Sequence, residues 1–182
     1  MSKEVFISVD IEASGPIPGE YSMLSVGACE VGKMDNGFYV ELKPISDTFV
    51  KEALDVCGFS MQELKEKGVP PHEAMRRLSD WISSTADGRR PVLVGFSTGF
   101  DWSFVNYYFV RFHGSNPFGI SGIDIKSVWL GKTECAWGET SKSNVKRALG
   151  LKLEHTHNAL DDAREQAEIF QSIISDDRRK GE

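Results

Sequence analysis

Two acids close the first apolar run of the chain. In Val5-Phe6-Ile7-Ser8-Val9-Asp10-Ile11-Glu12-Ala13-Ser14-Gly15, the β-branched residues Val5, Ile7, Val9 and Ile11 alternate with Phe6, Ser8, Asp10 and Glu12. Such a run reads as a strand buried on both faces. Its period of two sends Asp10 and Glu12 to one side of the sheet, and Ser14-Gly15-Pro16 ends it. Two bare carboxylates about 7 Å apart on a strand face repel by about 2 kcal/mol at an effective dielectric of about 20. At an exposed strand end, solvent absorbs that cost. On a buried strand, a hard cation such as Mg²⁺ or Mn²⁺ turns the repulsion into ligation. This stretch alone leaves both readings open.

Two further acids point inward from helices. With about 100° per residue, Phe104, Val105, Tyr108, Phe109 and Phe112 share one arc of the helix expected over 100–112, and Asp101 lies near its middle. An acid in the first turn often serves only the helix dipole, but Asp101 points where the core residues point. In the last helix, expected to run to about Ser175, the apolar face comprises Ala159, Ala163, Ala167, Ile169, Phe170, Ile173 and Ile174. Asp162 falls on that face, while Asp161 falls opposite with Glu165 and Glu168. Asn158 as N-cap gives Asp161 a structural role in the first turn. A buried carboxylate is rarely left uncompensated, and no Lys or Arg of this helix shares the arc of Asp162. His157 precedes the helix, and from that loop it can converge with Asp162 on one site. Asp10, Glu12, Asp101, Asp162 and His157 together are the set that hydrolysis at a two-metal centre requires: carboxylates around two ions and a base for water.

The elements that must position these residues follow a simple order. Strands are expected over 21–31 and 37–42, joined by a turn at Lys33-Met34-Asp35-Asn36-Gly37. Ser60 caps a short helix through Lys65. Pro70-Pro71 opens a longer one, whose inner face holds Ala74, Met75, Leu78, Trp81 and Ile82. A buried strand is expected over 92–96, a short strand or helix entry at Ile123-Asp124-Ile125, an irregular stretch over 129–140, and a helix over 141–149 ended by Gly150. This is an α/β domain with a mixed central sheet covered by helices. Residues 1–175 read as a single domain, with 176–182 a frayed tail.

The formal net charge of −6 speaks against a nonspecific nucleic-acid binder, which is usually basic. Two bound divalent ions would reverse much of that excess. Cys29, Cys57 and Cys135 are odd in number and lack zinc-ligand spacing, which reads as reduced thiols in a cytoplasmic protein. No signal-peptide pattern precedes the first strand, and no apolar run approaches a membrane span.

The sequence resembles the DEDDh branch of the 3′–5′ exonucleases, which have a ribonuclease H-like fold and include oligoribonuclease, ribonuclease T and proofreading subunits of polymerases. Asp10-Ile11-Glu12-Ala13-Ser14-Gly15 matches the first motif, Phe100-Asp101-Trp102-Ser103-Phe104 the second, and His157-Asn158-Ala159-Leu160-Asp161-Asp162 the third with its His-to-Asp spacing intact. Ser25-Val26-Gly27-Ala28, Gly58-Phe59-Ser60 and Leu149-Gly150-Leu151 are weaker echoes, so the resemblance spans nearly the whole chain. Two positions depart from the pattern. Phe96-Ser97-Thr98-Gly99 stands where the family often has His-Asn, and Ser25 where it often has an acid or amide.

The resemblance implies a metal-dependent 3′–5′ exonuclease acting on the 3′ ends of single-stranded nucleic acid, with RNA slightly favoured over DNA. A DNA exonuclease of repair or proofreading is the first alternative, and a non-catalytic binding module of the same fold is an alternative of another class. It further implies that Asp10, Glu12 and Asp162 hold one Mg²⁺ or Mn²⁺, that Asp10 bridges to a second which Asp101 supports, and that His157 takes the proton from water. Ala13 and Ser14 would lie against the terminal nucleotide. Met23, Leu24 and Trp102 would stack on or wedge between bases, unless they are simply core residues. Homodimers are common in the family.

Overall fold

The first strand, β1 (Glu4–Ala13), is the middle of a five-stranded sheet. The computed structural model describes residues 3–152 and 158–175. His157 and the tail expected to fray over 176–182 therefore lie outside the described residues. With β2 (Met23–Glu30), β3 (Lys33–Glu41), β4 (Arg90–Gly95) and β5 (Gly122–Asp124), the strand order is β3-β2-β1-β4-β5. The pairs β1–β2 and β2–β3 are antiparallel, and β1–β4 and β4–β5 are parallel. The sheet is thus mixed, as the sequence implies.

The alternation in β1 decides what each face packs against. Val5, Ile7, Val9 and Ile11 are buried with Ala74, Met75, Leu78 and Ile82 of α3 (Pro71–Ala86) and with Phe104, Val105 and Tyr108 of α4 (Gly99–Phe112). Burying each such aliphatic side chain contributes about 2 kcal/mol. The opposite face carries α7 (Ala159–Ser175), where Phe6 meets Phe170 edge-on at 5.5 Å between ring centroids. Asp10 and Glu12 share the α7 side with Phe6 by strand period.

One glycine sets how closely α7 approaches. Gly27 of β2 pairs with Asp10 of β1. A Cβ on Gly27 would lie 2.2 Å from the Ala159 carbonyl carbon and 2.2 Å from the Leu160 nitrogen. The bare backbone at Gly27 therefore lets the first turn of α7 rest directly on the sheet beside Asp10, which carries Asp162 to the strand that holds its partners.

The remaining helices are α1 (Lys51–Cys57), α2 (Met61–Lys67), α5 (Ile125–Thr133) and α6 (Lys142–Leu149), with a 3-10 turn at Trp137–Glu139. Ser60 caps α2 by accepting from the Glu63 N–H, as expected, and Gly150 ends α6 in a left-handed conformation. Two expectations need correction, and one helix is additional. The hairpin turn is Val31-Gly32, not 33–37: Gly32 supplies a φ of 86°, and β3 begins at once with Lys33. Trp129, assigned to an irregular stretch, is a buried residue of α5. The helix α1 went unread because it buries no residue and so carries no apolar stripe.

Candidate active site

The acids converge as their elements dictate. Asp10 and Glu12 end β1, Asp162 stands in the first turn of α7, and one carboxylate oxygen from each lies within 4.8 Å of the others. Asp101, in the first turn of α4, reaches the same place from the other side of the sheet, accepting a hydrogen bond of 3.2 Å from the Ile11 N–H. All four line one cleft of about 430 Å³, with Val56, Phe96, Ser97 and Phe100 on its walls. Ser97 has a φ of 61°, a left-handed conformation uncommon for a residue with a Cβ. It turns the chain from β4 toward α4 at the wall of the cleft.

Crowded, half-buried carboxylates resist ionisation. Burial, then the charges of Asp162 and Asp101, push Glu12 up to about 7. Burial pushes Asp101 up to about 7 against the opposing pull of the Ile11 N–H. Asp10 is raised well above the usual carboxylate range by burial, then by Asp101 and Asp162, with Lys142 opposing. Gln166, one turn beyond Asp162, donates through Nε2 to Asp10 Oδ1, while its Oε1 accepts from the Phe96 N–H at 2.8 Å. Lys142 in turn contacts the buried Glu165 at 3.1 Å and lies 5.9 Å from the Phe96 ring centroid.

Such a set of hard oxygen donors fits a divalent cation of the Mg²⁺ or Mn²⁺ kind. Three acids face one point, a fourth stands beside them, and the cost of their mutual repulsion is what a cation removes.

A family model described as the Rv2179c-like 3′-5′ exoribonuclease domain matches residues 5–174. The chain belongs to this family. It is a 3′–5′ exonuclease, and a curated relative agrees: it is 45% identical to the 3′-5′ DNA exonuclease Cap18 of Escherichia coli over 94% of this chain and 92% of that one. The fold is shared with more distant solved structures. The nuclease domain of 3′hExo, a DEDDh family member bound to rAMP, superposes with a TM-score of 0.78 at 15% identity, covering 95% of this chain and 92% of that one. A 3′-exonuclease solved for its recognition of a histone mRNA stem-loop has a TM-score of 0.78 at 14% identity, and the exonuclease matches only 64% of that chain's length. These neighbours place the sheet and helices in the ribonuclease H-like class.

In the exonuclease, the residues expected to touch substrate divide. Ala13 and Ser14 follow Glu12 directly, but Ser14 is buried and its hydroxyl is already engaged, donating to the Thr48 carbonyl and accepting from the Ser22 N–H, both at 2.9 Å. Met23 and Leu24 have no exposed surface, because β2 is covered on both faces; core packing replaces the stacking expectation for both. Trp102 is one residue past Asp101 and is rotated about 100° around α4. It lines a separate cavity of about 600 Å³ with Pro18, Asn106 and Tyr107 rather than the acid cleft. The cleft walls that sequence reasoning missed are Val56, Phe96 and Phe100, with Gln166 and Lys142 behind them. Gln166 was legible in principle, because it lies four residues after Asp162 on the same helical face. His157 belongs to a segment outside the described residues. Among the described residues, no helix is long and apolar enough to cross a membrane.

Proposed function

We propose that this exonuclease releases mononucleotides from the free 3′ ends of single-stranded DNA by two-metal chemistry, with Mg²⁺ or Mn²⁺ held by Asp10, Glu12, Asp101 and Asp162. The observation that carries this reading is the meeting of three carboxylates within 4.8 Å beside the buried Asp101. Divalent cations bound there supply positive charge to a phosphodiester and acidify a nearby water. The chain's own residues do the remainder. Asp10 is kept in place by Gln166, Asp101 is fixed by the Ile11 N–H, and Phe100 and Val56 offer apolar walls against which a terminal base can rest. His157, two positions before Ala159, takes the proton of the attacking water.

DNA leads because the 45% identical relative, matched over nearly its whole length, is named a DNA exonuclease. RNA is the second reading, favoured by the description of the matching family. The deciding experiment digests matched linear DNA and RNA oligonucleotides, labelled internally, beside a circular single strand of the same DNA. Mononucleotide release from linear DNA in Mg²⁺ or Mn²⁺, none from the circle and none in EDTA, is the expected result. Faster RNA turnover would reverse the sugar preference, and cleavage of circles at a comparable rate would make the enzyme an endonuclease.

A further inference from the structure

The charge of the chain is unevenly distributed. Between Ile125 and Lys152 the sequence carries Lys126, Lys132, Lys142, Lys146, Arg147 and Lys152 against only Glu134 and Glu139, a net +4 in a chain of −6. This span comprises α5, the 3-10 turn and α6. Lys132 is drawn to the Ile173 carbonyl, Lys146 to Glu165, and Lys142 contacts the same Glu165 at 3.1 Å while it also faces Phe96. Lys126 behaves differently: its ammonium stands 4.3 Å from the ring centroid of Trp137. Trp137 is 58% exposed, so Lys126 covers part of the indole and leaves much of it open to solvent. An indole this exposed, with a cation already on it, does nothing for the core.

The topology puts Lys126 at the end of the sheet where the acids stand, and Trp137 reaches that end through its contact with Lys126. β4 and β5 are parallel, and the cleft opens where β4 ends, at Phe96 and Ser97. α5 starts where β5 ends. Asp124 at that junction accepts from the Thr98 N–H at 2.9 Å and from Ser127, which ties the start of α5 to the residue after Ser97. Lys126 is in the first turn of α5, and Trp137 leads into the start of α6, where Lys142 stands. Lys142 lies over Phe96, a cleft wall, and its charge is felt by Asp10, Glu12 and Asp101. Lys142 therefore stands beside the acids, a few residues past the exposed indole in sequence.

We propose that Trp137, Lys126 and Lys142 form a landing surface for the single-stranded stretch 5′ of the scissile bond. A base stacks on the open part of Trp137, and backbone phosphates lie against Lys126 and Lys142. An exposed aromatic beside cations is the combination by which proteins hold single strands without reading sequence. It also resolves a conflict in the charge. An acidic chain repels a polyanion, and a local basic strip leading to the acid cleft offsets that repulsion where the strand must enter. The inference rests on the exonuclease reading above and adds the path of the strand and the residues that hold it.

The test is equilibrium binding of a fluorescent 12-nucleotide single strand and of a trinucleotide to the full chain, in EDTA and over a range of salt, beside turnover of the same 12-mer in Mg²⁺. The wild type should bind the 12-mer more tightly than the trinucleotide. Trp137→Ala should weaken the 12-mer about tenfold, as loss of one stacked base does, with little effect on the trinucleotide. Lys126→Gln removes a surface charge without disturbing the 3-10 turn, and should lower the magnitude of the salt slope by about 0.7, the value for one phosphate contact on a single strand. Wild-type affinity and salt slope in both variants would overturn the landing surface. A wild type that binds the 12-mer through these residues but never shortens it in Mg²⁺ or Mn²⁺ would overturn the exonuclease reading and leave the surface standing.

Discussion

Gln166 joins Asp10 to the end of β4. Its amide donates to Asp10 Oδ1 and accepts from the Phe96 N–H at 2.8 Å, and the residue is 1% exposed. One side chain thus fixes the orientation of a proposed metal ligand and satisfies the backbone of a cleft wall. Gln166→Leu keeps the volume and removes both bonds. Leaving the partly buried Phe96 N–H without its partner should cost about 1 kcal/mol, read as a lower denaturant midpoint. Metal affinity should fall as Asp10 loses its orientation. A variant with wild-type stability and Mn²⁺ affinity would show that Gln166 only fills space.

The raised acids make stability depend on pH in an unusual direction. Glu12 and Asp101 are pushed up to about 7, and Asp10 is raised as well. In the unfolded chain these groups ionise near 4. Between about pH 4 and pH 7 the folded state therefore binds more protons than the unfolded one, and stability falls as pH rises through that window. In EDTA, the melting temperature should be higher at pH 5.5 than at pH 8. With Mn²⁺ the order should reverse, because binding requires the ionised acids and releases their protons. Thermal melts at the two pH values, with and without Mn²⁺, check both halves. A metal-free protein more stable at pH 8 would contradict the burial assigned to these acids.

Much of this arrangement is legible in the sequence, and the exceptions have physical reasons. Asp10 and Glu12 follow from strand period, and Asp101 and Asp162 from helical phase, because each lies on an element whose other inward residues are plainly apolar. Glu165 was placed with Asp161 and Glu168 on the solvated face, yet it is buried. A helical wheel sees only its own helix, and what covers Glu165 is α6, which brings Lys142 at 3.1 Å and Lys146. Burial opposes the charge of Glu165, but the two lysines outweigh it and hold the carboxyl below its usual range. Met23 and Leu24 were misplaced for a related reason. A strand buried on both faces has no polar alternation to mark which residues could face a ligand. Trp137 escaped because a three-residue turn carries no periodicity at all.

Gly27→Ala tests the close approach of α7 to β2. The added Cβ would sit 2.2 Å from backbone atoms of Ala159 and Leu160, so the helix must retreat. Overpacking of this kind costs about 1–3 kcal/mol. A displacement of about 1 Å at Asp162 should lower kcat about a hundredfold. Both readouts are needed: equal loss of stability with normal kcat would mean the helix yields elsewhere and leaves the acids together.

His157→Ala should slow turnover by about 10²–10⁴-fold, the range for losing a general base, with Mn²⁺ affinity close to wild type. The proposed mechanism gives His157 to water and not to a metal. Titration of Mn²⁺ into the variant separates the two roles, and a loss of affinity matching that of Asp10→Ala would make His157 a ligand instead.

The adjacent acids Asp161 and Asp162 offer the sharpest comparison. Asp161 is exposed, its backbone N–H donates to Asn158 Oδ1 at 3.3 Å, and its carboxylate accepts from Arg164 at 3.2 Å. Asp162 is 2% exposed and faces Asp10 and Glu12. Replacing either by Asn preserves shape and removes one charge. Asp161→Asn loses a first-turn dipole interaction and a surface ion pair, together about 0.5–1 kcal/mol, and turnover should stay near normal. Asp162→Asn removes one of the three carboxylates that meet within 4.8 Å, so Mn²⁺ affinity and single-turnover rate should fall by orders of magnitude. Its metal-free stability should hold or rise, because Asp10 and Glu12 lose a repelling neighbour that raises both. Single-turnover digestion and metal-free melts of the two variants, run side by side, decide the matter. A dead Asp161→Asn beside an active Asp162→Asn would mean that α7 presents its other face to the sheet, and the proposed ligand set would have to be drawn from that face.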